Sequence, residues 1–168
     1  MTPIVKYWVC KVASPVVAEA MECMGGSGYV EDSGLPRLYR EAPVNSIWEG
    51  SGNVMALDVL RVMEREPDVL EIVLDELAQA VGTDSHLKAA LDRIKSMLHE
   101  PRLLEVRVRG LLEALALLAA GTILRAHAPQ TVADAFIAAR LSGQPRFTYG
   151  QGLEWSDAKA ILERALPA

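Results

Sequence analysis

Glu49 stands alone in IWEGSGN, residues 47–53, after two large apolar side chains and before a run of small residues. A carboxylate placed there could act as a general base. At an ordinary pKa of about 4.3 it is a weak base, and burial against an apolar wall such as Ile47 and Trp48 would strengthen it. The small residues that follow would let another molecule come close to the backbone. The same glutamate also fits a structural role, as a negative charge at the start of a helix. A second stretch, GGSG at 25–28, offers backbone N–H groups free of large side chains, which suits a phosphate or a flat cofactor. By itself GGSG serves equally well as a helix stop and a tight turn. His86, His99 and His127 lie far apart without ligand spacing, so no metal site is expected. Cys10 and Cys23 form no CxxC pair and read as the reduced thiols of a cytoplasmic protein.

Helices must position these residues. Thr2-Pro3 reads as an N-cap and first helical position ahead of IVKYWVCKVA. Ser14-Pro15 repeats that signal before VVAEAMECM, which gives either one kinked helix or two end to end. Gly25-Gly26 ends the run, because glycine enters the left-handed cap without steric cost. An irregular stretch continues to Asn53 with a short helix expected around Arg37–Glu41, and Ser51 can cap a helix through VMALDVLRVME. Beyond it Pro67, Gly82, Pro101, Pro129 and Gly143 separate helical windows near 68–81, 85–99, 102–127, 131–142 and 157–166. LLEALALLAAGTIL is apolar nearly all round and should be the most buried of these helices. No strand alternation occurs, so the fold class is all-α, a helical bundle. The charged, proline-ended MEREPD marks a boundary between residues 1–65 and 66–168.

Of the 168 residues 51% are hydrophobic and 23% charged, a globular composition and not a disordered one. The formal net charge is −5. Residues 1–65 carry 6 basic and 8 acidic side chains and residues 66–168 carry 11 and 14, so neither part is basic. Charge therefore argues against a nucleic-acid or anionic-membrane surface. The apolar stretch Ala114–Leu124 is too short to span a bilayer.

The order of motifs goes further. Gly25, Gly26, Gly28 and Tyr29, then Arg40-Glu41, then Trp48-Glu49-Gly50-Ser51, closely resemble the C-terminal domain of the flavin-dependent acyl-CoA dehydrogenases. In that family a helix ends in GGxGY, an Arg-acidic pair follows, and an aromatic-Glu-Gly-Thr segment opens the next helix. The preceding helix, with Lys11 and Ser14, also fits, and the resemblance covers residues 5–62. NSIWEGSGNVMALDVLRV is most similar to the alkylation-response, AidB-like branch. Its additional C-terminal helical region corresponds in length and character to residues 66–168.

The resemblance implies FAD as cofactor and an acyl-CoA thioester as substrate, with Glu49 as the base that removes the α proton. It implies cofactor contacts from Glu22, Gly25, Gly26, Trp48, Gly50, Ser51 and Asn53. Glu22 replaces the family's common glutamine, and a carboxylate there would repel a pyrophosphate. Arg37 and Arg40 could reach phosphates, but pairing with Glu31, Asp32 or Glu41 is the better-founded expectation. The family's N-terminal helical and central β domains have no counterpart in these 168 residues. The expectation is thus a C-terminal fragment, inactive alone and homo-oligomeric, with residues 1–24 in the interface around Tyr7, Trp8 and Val16-Val17. The alternative is a DNA-binding or oligomerisation module. For DNA, Arg61, Arg65, Arg102, Arg107, Arg109, Arg125, Arg140 and Arg146 would have to form a patch. Pairs such as Glu105–Arg109 would neutralise it.

Overall fold

The computed structural model describes residues 1–143, 149 and 155–166, except the side chains of 101–103, 155 and 156. Among the described residues the fold is all-α, with nine helices and one 3₁₀ turn. Helix α1 (Thr2–Cys23) has Pro3 in its first turn, and the residue at its N-cap is Met1, one before the expected Thr2. Pro15 lies inside this single helix, so the sequence from 2 to 23 is not two helices. Two short helices, α2 (Gly26–Tyr29) and α3 (Leu35–Glu41), and the 3₁₀ turn Ala42–Ser46 occupy the irregular stretch. Helix α4 (Gly52–Arg65) then returns along α1.

The remaining elements are α5 (Pro67–Val81), α6 (Ser85–Leu98), α7 (Pro101–His127), α8 (Gln130–Leu141) and α9 (Trp155–Ala165). Their bounds fall within two residues of the windows read from the proline and glycine breakers. The chain divides into two compact units. The first is Met1–Glu66 with Glu105–Glu113 of α7, and the second is Pro67–Leu104 with Ala114–Ala168.

In the first unit α1 packs on α2, α3, the 3₁₀ turn and α4, burying Ile4, Tyr7, Ala42, Ala56 and Val59. In the second unit α6 packs on α5 and α8, and α8 also packs on α9. Leu87, Ile94, Leu115, Leu118 and Ile137 are enclosed there, each worth about 1.5–3 kcal/mol of burial. Gly121 lets α7 come close to α6 and α8, since a Cβ would stand 2.9 Å from both Leu87 and Leu141 side-chain carbons. Arg125 on α7 ties this unit together at one end. It donates to Asp84 Oδ2 at 2.7 Å and to Asp134 Oδ1 at 2.5 Å. The other Asp84 oxygen accepts from the His86 and Leu87 N–H groups and caps α6. Partial burial alone would raise the Asp84 carboxyl. The Leu87 N–H, the Arg125 guanidinium and the His86 N–H outweigh it and hold Asp84 below the usual carboxylate range. Among the described residues no helix is long and apolar enough to cross a membrane.

Candidate active site

The segment around Glu49 is fastened to α1 through its backbone. Ser46 Oγ donates to the Cys10 carbonyl at 3.3 Å. Lys6 Nζ donates to the Trp48 carbonyl at 2.9 Å and to the Gly50 carbonyl at 2.5 Å. Gly52 seats the start of α4 against α1, where a Cβ would stand 2.9 Å from Lys11 Cε and 3.3 Å from the Tyr7 ring. Between these anchors Glu49 has φ +54°, the one non-glycine residue with positive φ among those described. For an L-residue that conformation costs roughly 1–2 kcal/mol, so the surroundings must enforce it. Gly50 follows at φ +106°.

The GGSG stretch is a turn at the end of α1. Gly25, at φ +57°, redirects the chain into α2. Gly28 is buried, and a Cβ on it would collide with the Met21 carbonyl oxygen. Nothing lies within 4 Å of a Cβ built on Gly25 or Gly26, so a ligand can approach the backbone there. An open cleft of about 610 Å³ lies beside them, lined by Ala18, Met21, Glu22, Gly25, Tyr29 and Tyr39. Arg40 grips Glu31 with two bonds of 2.7 and 2.9 Å and lowers that carboxyl, while Arg37 pairs with Glu41 at 3.0 Å. Both arginines are thus held by acids, as the charge pattern suggested.

The site residues read from the sequence fall in two places. Glu22 and Gly25 line the open cleft and Gly26 follows Gly25 in the turn, while Trp48, Glu49, Gly50 and Ser51 form the strap leading into α4, whose first turn carries Asn53. A smaller hollow under the strap is lined by Lys6, Tyr7, Cys10, Lys11, Ser46, Gly50, Gly52 and Met55. Glu49 lines neither space. The expected apolar wall is also missing from this chain: Ile47 is 68% and Trp48 59% exposed, and Glu49 is exposed with them. The physical reason is the mode of attachment. Backbone carbonyls hold the strap to Lys6 and leave its side chains outside. Ser51 takes the N-cap position of α4, but its side chain makes no capping bond, and Asn53 is exposed.

These residues fit FAD in part. The glycines are open, and two phenol rings border the cleft beside them. The Glu22 carboxylate lining the same cleft disfavours a pyrophosphate. Lys6 was not legible as a site residue. Its signal was only indirect, a lysine one position from the inward face that carries Ile4 and Tyr7.

Two further expectations change. Tyr7 is buried at 6% exposure and is not part of an open apolar surface. Its hydroxyl accepts from Arg109 Nε at 3.2 Å, and its ring packs beside Gly52. The exposed large apolar residues of α1 are Val5, Val9 and Val16, which lie on one face with Met1 at the N-cap. Of the arginines considered for a phosphate-binding patch, Arg61 pairs with Asp58, Arg109 with Tyr7 and Arg125 with Asp84 and Asp134, and Arg140 lies over the Tyr149 ring. The Arg102 side chain and Arg146 lie outside the described residues.

Residues 1–64 match the family model "Acyl-CoA dehydrogenase, C-terminal domain". The chain is 44% identical over 135 residues to AidB of Escherichia coli (strain K12), which is named as an acyl-CoA dehydrogenase. That alignment covers 80% of this chain and 25% of AidB. It is 40% identical over 111 residues to acyl-CoA dehydrogenase family member 11 of Caenorhabditis elegans, covering 64% of this chain and 18% of that protein. The crystal structure of Caenorhabditis elegans ACDH-11 in complex with C11-CoA superposes with a TM-score of 0.73 at 27% identity. That match covers 97% of this chain and 31% of the other. The chain spans a quarter or less of the length of these curated relatives.

Proposed function

Residues 1–64 belong to the acyl-CoA dehydrogenase C-terminal domain family and the chain is AidB-like, and from that membership we propose that it supplies one part of an FAD-dependent site oxidising acyl-CoA thioesters between Cα and Cβ. The observation that supports this reading most is Glu49 itself. It sits in the family's aromatic-Glu-Gly position and is held in a left-handed conformation that a surface charge has no need of. Bound FAD would accept the hydride from the β carbon. Glu49 takes the α proton, and its backbone N–H stabilises the thioester oxygen as enolate character develops. Gly50 leaves the thioester room, and Gly25 and Gly26 let the cofactor reach the backbone.

Alone, this chain is proposed to be inactive, because Glu49 is exposed and the cleft at Glu22 is separate from it. The apolar wall and the flavin site are then completed by the rest of a flavoprotein of the relatives' length. Self-association through the Met1, Val5, Val9 and Val16 face is part of the same proposal, and light scattering at micromolar concentration would show at least a dimer.

The test of the reading is Glu49→Gln in a flavin-loaded protein carrying this segment. Flavin binding survives, and flavin reduction by acyl-CoA slows by about 10²–10⁴-fold. Reduction at the wild-type rate would leave Glu49 as a helix-start charge only.

A further inference from the structure

Lys6 comes from the first turns of α1, more than forty residues before the strap, yet its ammonium reaches the carbonyls on both sides of Glu49. An ammonium offers three donors and no acceptor, so one Lys6 can hold two carbonyls that converge on it. In this chain the two carbonyls converge on Lys6 across a turn in the backbone. That turn is left-handed at Glu49, φ +54°, and continues at Gly50, φ +106°. Gly50 accepts its φ freely, whereas Glu49 does not. The position that resists the turn is thus the one bracketed by the two charge-assisted bonds. Further along, Ser46 bonded to Cys10 and Gly52 seated on Lys11 and Tyr7 fix where the strap starts and ends. Neither of those contacts sets the backbone at residue 49.

We propose that Lys6 is a positioning residue that holds Glu49 in its left-handed conformation and so determines where the Glu49 carboxylate is presented. This rests on the reading of Glu49 as the base, but the role of Lys6 in the backbone can be tested separately. A side chain at φ near +55° leaves the peptide plane in a direction different from one in the α or β region. Released from Lys6, Glu49 relaxes to negative φ and its carboxylate moves. The family motif around Glu49 contains no lysine, so the motif alone does not reveal this dependence.

The experiment is NMR on the chain itself. Positive φ brings a residue's amide proton close to its own Hα, which gives a strong intraresidue NOE at Glu49 in the wild-type protein. Lys6→Met keeps the aliphatic stem and removes the donors, and this NOE should weaken to the level of neighbouring residues. Lys6→Arg restores a two-pronged donor, and the strong NOE should return. A merely structural role for Lys6 in α1 packing predicts no such rescue pattern. Should Lys6→Met fail to fold, the wild-type chain decides the matter: the Lys6 ammonium protons exchange slowly and show NOEs to Glu49 Hα. A strong Glu49 NOE retained in folded Lys6→Met, or a rapidly exchanging Lys6 ammonium in the wild type, overturns the proposal. Full activity of a flavin-loaded Glu49→Gln protein would instead overturn the base reading and leave the positioning result standing.

Discussion

In the unit formed by Pro67–Leu104 and Ala114–Ala168, Leu87, Ile94, Leu115, Leu118 and Ile137 are shut away from water. In the unit formed by Met1–Glu66 and Glu105–Glu113, Tyr29 is 78% exposed, and Ile47 and Trp48 are exposed with it. The second unit encloses these large apolar side chains, though Ile72, Ile123, Leu162 and Leu166 stay exposed, and it carries the Asp84–Arg125–Asp134 clasp. The first leaves three of its largest on the strap and turn that carry the family motif, and it holds a glutamate in a conformation that costs free energy. A sequence selected only to fold would place those side chains inside. The contrast teaches that the strap and turn contribute little to the chain's own stability, whereas the enclosed residues of the second unit carry much of it, and on the proposed reading the strap is covered in the full flavoprotein.

The largest effect that could break this comparison is in core truncation. Leu118→Ala should cost about 2–5 kcal/mol in denaturant unfolding, from lost burial and a residual cavity. Trp48→Ala removes more side chain but should change stability by only about 0.5 kcal/mol, since no enclosed contacts are lost. Comparable losses from both would mean that the strap is part of a core after all.

Acid sharpens the comparison. Asp84 has a depressed pKa in the folded state, so its contribution is fully present above the unfolded value of about 3.9. It is lost as pH falls through the folded value. Asp84→Asn should therefore cost about 1–2 kcal/mol at neutral pH. It should also flatten the loss of stability below about pH 4, as read from urea midpoints at several pH values. A variant with an unchanged acid limb would show that the clasp does not couple protonation to folding.

Smaller still is the effect expected at the strap. Glycine adopts positive φ without the Cβ penalty, so Glu49→Gly should raise the stability of the chain by about 0.5–1 kcal/mol. A gain of stability on deleting the motif's carboxylate is what a strained functional residue predicts. A loss would mean that Glu49 stabilises the fold and that the strap is structural.

Much of the fold was legible because helices here are punctuated by residues with few alternatives. Pro67, Pro101, Pro129 and Gly82 mark the helix ends, and the all-round apolar face of α7 marks a buried helix. Pro15 left one helix or two open, and the packing of α1 against four other elements carries a single helix through a residue that lacks an N–H. The first unit also recruits Glu105–Glu113, which no local pattern announces. Within the site, the residue types and their order were readable at Gly25, Gly26, Trp48, Glu49 and Gly50. Their placement was not. Burial of Glu49 depends on what lies over Ile47 and Trp48, and local hydrophobicity cannot distinguish an internal wall from an uncovered one. Lys6 was hidden because a lysine binding two carbonyls has no sequence spacing of its own.

The central claim, that Glu49 removes an α proton, is tested most directly by separating proton removal from hydride loss. Phenylacetyl-CoA has α protons but no β hydrogen to lose, so a bound base can only exchange its α protons with solvent. In deuterium oxide, the flavin-loaded protein carrying this segment should wash deuterium into the α position, followed by loss of the α signal in proton NMR. Glu49→Gln should slow that exchange to the rate seen without protein, while still binding the thioester. Equal exchange by wild type and Glu49→Gln would contradict the assignment of Glu49 as the base.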